Sequence, residues 1–138
     1  RTISEEGLGG LEALRVFGKS AEERCRVAGL DGRVVHDGDH TIEHGQKALS
    51  QDLLLIAEIV DDLQVPHDSA LSGRLASAAV AASENAGRFW VVNRLPGLHP
   101  SVEFEGSYLS QATADVLEAQ RLLTLAMRSA PAGGVPAP

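Results

Sequence analysis

Between Thr41 and Leu63 the chain reads TIEHGQKALSQDLLLIAEIVDDL, and its apolar residues fall at Ile42, Leu49, Leu53, Ile56, Val60 and Leu63. After the first seven-residue step the spacings are 4, 3, 4 and 3. Positions so spaced share one side of an α-helix, whereas a strand needs alternation at every second residue. A stripe this long is stable only when laid against other helices. Leu54, Leu55 and Ile59 widen it, which predicts burial on more than one side.

Two further segments repeat the pattern. Leu71, Leu75, Ala78, Ala82 and Phe89 form a stripe over residues 69–92, interrupted by the polar Asn85. Over residues 108–129, Leu109, Ala112, Val116, Ala119, Leu123 and Ala126 do the same. The predicted long helices are therefore 41–64, 69–92 and 108–129. Asp39 or Thr41 is expected to cap the first, Pro66 to close it, and Asp68 or Ser69 to cap the second. Upstream, Leu8, Leu11, Leu14 and Phe17 predict a helix from about residue 8 to Gly18. The Ser20–Ala21–Glu22–Glu23 capping-box pattern predicts a fresh helix start and a short helix ending at Gly29.

The expected fold is all-α: a bundle of four or five helices with coiled-coil-like packing. A minor two-strand element is expected from residues 33–36 and 101–105, where Val34–Val35 and the alternating Val102 and Phe104 lie. Aromatics make up only 4% of the residues, so the core has to rest on Leu, Val, Ile and Ala. Residues 1–130 read as one helical domain and residues 131–138 as a flexible tail rich in Pro and Gly.

Charge narrows the partners. A formal net charge of −7 opposes binding to phosphate backbones over a broad surface, so nucleic acid is not an expected partner. No apolar run reaches the length of a membrane span, and a membrane is not expected either. The expected location is cytoplasmic; a start at Arg1 leaves a processed or exported form open. One cysteine, Cys25, allows neither an intrachain disulfide nor a multi-cysteine zinc site. Its neighbours Arg24 and Arg26 would favour a thiolate, and the competing reading is a small core residue.

Chemistry concentrates in VVHDGDHTIEHGQKAL, residues 34–49, where His36, His40 and His44 are spaced by four. Histidines one helical turn apart can grip one metal ion, and imidazole with carboxylate suits zinc, iron or manganese. His36, His40, His44 and Asp39 are the candidate ligands. A second possibility is a phosphate-accepting histidine, His44, acting as a relay, since the chain has no nucleotide-binding loop. The reading preferred on sequence is structural: a polar helix start in which Glu43 complements the dipole and His40 and His44 face solvent or a partner. No cofactor is expected. HExxH and G-x-S-x-G patterns are absent from the sequence, and no catalytic residue is assigned.

Phe89, Trp90 and Arg94 are the candidate partner-contact residues, because Trp and Arg dominate interface hot spots. The extra apolar positions Leu54, Leu55, Ile59, Leu117 and Leu122 suggest a face left over for self-association, with a dimer the expected form. The functional expectation is a non-enzymatic helical interaction or assembly protein, an adaptor or subunit. The alternative is a metal-binding or phosphotransfer histidine protein using residues 36–44.

Overall fold

The computed structural model describes residues 12, 15–16, 18–26, 40–94 and 105–129, and everything below concerns these. They form an all-α bundle of four helices with no strand among them. Helix α1 covers residues 18–26, and residues 12, 15 and 16 are helical as well. Then come α2 (Thr41–Asp62), α3 (Leu71–Arg94) and α4 (Leu109–Ser129).

Side-chain contacts give the directions. Ser50 reaches Ala79, Gln46 reaches Asn85 and Glu43 reaches Arg94, so α2 and α3 run antiparallel. Arg74 meets Asp115 while Asn85 meets Glu105, so α3 and α4 are antiparallel too. Arg15 lies on Met127 and Gly18 on Gln120, which sets α1 against α4 in the opposite sense. The result is an up-down-up-down bundle in which α2 and α3 share the most extensive contact.

The stripes account for the core. Leu49, Leu53, Ile56 and Val60 of α2 are buried against Leu71, Leu75, Ala78, Ala82 and Phe89 of α3. Leu109, Ala112, Val116, Ala119, Leu123 and Ala126 of α4 join them, with Ala21 and Cys25 from α1. Ala78, Ala79 and Ala82 put small residues on the buried face of α3, whose most extensive contact is with α2. Every apolar position assigned to the α3 and α4 stripes is buried.

Several local expectations are corrected. Residues 18–26 are continuously helical, so Ser20 does not start a new helix. Its hydroxyl instead donates to Asp52 Oδ2 at 3.0 Å, a tertiary bond that supersedes the local capping box. Gly18 lies inside the helix, where a Cβ would come within 3.1 Å of the Gln120 side chain. The N-cap of α2 is His40, neither Asp39 nor Thr41, and no side-chain hydrogen bond caps it. α2 ends at Asp62, four residues before Pro66, with Leu63 in an extended conformation. Asp68 does serve the start of α3, its Oδ1 accepting from the Ala70 amide at 2.9 Å.

The widened stripe divides. Leu55 and Ile59 pack partly against the core and Leu122 is fully buried, but Leu54 and Leu117 are about half exposed. The expected strand pair, residues 33–36 and 101–105, lies outside the described residues except for Glu105, which is not in a strand; the 131–138 tail and Leu8, Leu11, Leu14 and Phe17 also lie outside them. No helix among the described residues is long and apolar enough to cross a membrane.

Candidate functional site

The richest chemistry lies where α2 begins and α3 ends. His40 occupies the left-handed region, with φ 65° and ψ 14°, a conformation that side-chain-bearing residues seldom adopt. It sets the ring above the first turn of α2. The Nδ1 of His40 stands 3.5 Å from Glu43 Oε1, and the Nε2 of His44 stands 3.9 Å from Glu43 Oε2. The two imidazoles face each other with centroids 6.0 Å apart at an angle of 44°. One donor atom from each of the three residues lies within 4.8 Å of the other two.

Glu43 is buried, although it sits in the first turn of a helix. Arg94, at the far end of α3, donates from Nη1 to both carboxylate oxygens, at 2.6 and 3.1 Å. The Asn93 amide adds a bond at 3.4 Å. Burial pushes the Glu43 carboxyl upward, but the hydrogen bonds and charges of Arg94, Asn93 and His40 outweigh it, and the pKa is lowered. The same Arg94 guanidinium lies over the Trp90 ring, 4.9 Å from its centroid, at a distance that supports a cation–π contact. Glu43, Arg94 and Trp90 thus form one continuous chain from the interior to the surface.

One turn further in, a polar layer crosses the bundle. Asn85 and Gln46 are almost wholly buried. Asn85 Nδ2 donates to Gln46 Oε1 at 3.2 Å and to the Glu105 carbonyl at 2.8 Å, and its Oδ1 accepts from the Glu105 amide. Tyr108 donates its hydroxyl to Gln46 Oε1 at 2.5 Å. Loss of solvation around the phenol, offset in part by Asn85 and Gln46, pushes its pKa up to about 12. The layer fixes helix register: it ties α2 to α3 and both to the residues leading into α4.

A groove of about 530 Å³ runs between α3 and α4. Gly73, Ser77, Ala78, Tyr108 and Ala112 line it, and Arg74 and Asp115 cross it. Arg74 Nε donates to Asp115 at 3.2 Å and Nη1 to Asp68 at 3.0 Å, so its charge is neutralised within the fold.

The predicted residues land as follows. His40 and His44 are brought together, and Glu43, which sequence assigned to the helix dipole, completes the cluster. The Glu43–His44 neighbours and the three-residue step from His40 carried that signal; the reach of Arg94 from α3 did not. His36 and Asp39 lie outside the described residues. Among the contact candidates, Phe89 is fully buried as a core plug, Trp90 is 52% exposed, and Arg94 is partly exposed while bound to Glu43. Cys25 is buried, and desolvation pushes its thiol up despite a hydrogen bond with Thr113, the reverse of thiolate activation.

Comparison with protein-family models, with curated proteins and with solved structures gave no match to this chain.

Proposed function

We propose that the chain is a non-enzymatic helical assembly protein that joins to a second copy of itself through the outward face of α3. The observation that carries this reading is Trp90, about half exposed beside the exposed Val91 and held under the Arg94 guanidinium. An exposed tryptophan held in one orientation offers a large apolar surface with little entropy to lose on contact. Val80 extends the patch three turns back along the helix, 56% exposed.

The face also suits a twofold partner. At 100° per residue, Val80, Glu84, Gly87 and Val91 lie within one narrow sector, with Arg88 and Trp90 at its two edges. A second α3 laid antiparallel, centred near residue 86, brings Val80 toward the other copy's Val91. It sets Glu84 opposite the other copy's Arg88, twice by symmetry. Gly87 has nothing within 4 Å of where its Cβ would stand, so the helix backbones can close beside the axis. Sedimentation velocity at micromolar concentration tests the reading: the chain is expected as a dimer, and replacing Trp90 by Glu returns it to monomer. A wild-type chain that sediments only as the 14.5 kDa species rejects it.

A further inference from the structure

We infer that His40, Glu43 and His44 form a binding site for a divalent transition-metal ion, with the Glu43 carboxylate shared between the ion and Arg94. Two imidazole nitrogens and one carboxylate oxygen form the donor set of open zinc sites, which hold three protein ligands and leave a position to water. Imidazole donors select against magnesium and calcium, which prefer oxygen alone. A tetrahedral ion with bonds of about 2.0–2.1 Å places its ligands roughly 3.4 Å apart. His40 Nδ1 lies 3.5 Å from Glu43 Oε1 and His44 Nε2 lies 3.9 Å from Oε2, so each histidine is near that spacing from one carboxylate oxygen, and with a single shared oxygen all three donors lie within 4.8 Å. The remaining closure, from at most 4.8 Å, falls to His44, whose side chain is 70% exposed and can turn without disturbing the core.

The carboxylate is oriented before any ion arrives. Arg94 and Asn93 fix it from the interior side, the role that an outer hydrogen-bond partner plays for a metal-ligating group. Arg94 and Asn93 already donate to Oε1 and Arg94 to Oε2, so an ion on the carboxylate shares or displaces these bonds. Two influences oppose a cation here: the positive end of the α2 dipole and the guanidinium charge of Arg94. Both act through partly solvated surroundings and weaken the site without removing its donors. The opposition of Arg94 gives the site a signature that an ordinary surface histidine pair lacks.

Calorimetric titration of the chelator-treated full chain with zinc, and separately with magnesium, tests the assignment. The expected result is one zinc per chain, with no magnesium uptake at the same concentration. His44→Ala, which alters an exposed side chain, is expected to weaken zinc binding by about tenfold or more. Arg94→Gln removes the competing charge while Asn93 still holds the carboxylate, and the charge effect is expected to prevail, tightening it by roughly threefold or more. Zinc affinity unchanged in His44→Ala, or no tighter in a folded Arg94→Gln, overturns the site, as does the absence of zinc binding. Should Arg94→Gln unfold, zinc-dependent shifts of the His40 and His44 ring resonances decide; rings that do not respond overturn the proposal.

Discussion

Asn85 shows what a single polar residue does in this interior. It interrupts an otherwise apolar stripe, and it is satisfied on both ends of its amide by Gln46 and the Glu105 backbone. Asn85→Ala removes its bonds to Gln46 and to the Glu105 amide and carbonyl, leaving the buried Gln46 with Tyr108 as its partner. A loss of about 1–3 kcal/mol is expected in urea unfolding. Two carboxylates in α2 carry opposite pH signatures. The Glu43 pKa is lowered on folding, so its ionised form stabilises the native state; that contribution is present above its ordinary value and is lost as pH falls through the folded value. Asp52 is raised, chiefly by burial, with the Ser20 hydroxyl and Arg24 only partly offsetting. Its ionisation therefore costs stability as pH rises above the ordinary aspartate range. Asp52→Asn keeps an acceptor for Ser20, so the variant is expected to melt higher than wild type at pH 7. That advantage fades toward pH about 3, whereas Glu43→Gln melts lower at pH 7 and converges with wild type in acid. Thermal melts across pH 3–7 check both signs.

At the scale of elements, the long helices were legible because their apolar spacing is unambiguous: 41–64, 69–92 and 108–129 against observed spans of 41–62, 71–94 and 109–129. The failures have tertiary causes. Ser20 and Glu23 match a capping box, but Asp52 takes the Ser20 hydroxyl and Glu23 bonds Arg26, so the helix runs through. Gly18 reads as a terminator and is a close approach to Gln120. No spacing rule foretells a left-handed His40, nor that a first-turn glutamate will be buried by an arginine from α3. Half of the candidate site, the histidine pair, was therefore visible in sequence, and the part that orients it was not. α3 offers a comparison of two glycines. Gly73 and Gly87 both have open space where a Cβ would stand. Each substitution to Ala is expected to stabilise the folded chain by about 0.5–1 kcal/mol through helix propensity. Only Gly87→Ala is expected to weaken self-association, because only Gly87 lies beside the axis of the proposed contact; dilution series of the two variants compare this directly.

At the scale of the whole molecule, the bundle settles its buried polar groups internally: Glu43 with Arg94, Gln46 with Asn85 and Tyr108, Ser50 with the Ala79 carbonyl, Asp52 with Ser20, and Asp115 with Arg74. What it leaves outward on α3 is Val80, Trp90 and Val91 around a glycine, with one acid and one base between them. Exposed apolar residues are ordinary when scattered; two on one helix sector beside an arginine-stacked tryptophan support the proposed contact surface. A net charge of −7 works against close approach of two copies, so association through this face is expected to strengthen as salt is added at low ionic strength. The local Glu84–Arg88 pairing should by contrast weaken with salt. That opposition makes the pairing better tested by charge exchange than by salt. Glu84→Arg alone places like charges across the proposed axis, and the double exchange Glu84→Arg with Arg88→Glu restores opposite charges with the same composition as wild type. Sedimentation equilibrium of these two variants beside the wild-type chain is the most direct measurement. The account predicts a monomer for the single variant and a recovered dimer for the double exchange; identical masses for all three chains would contradict it.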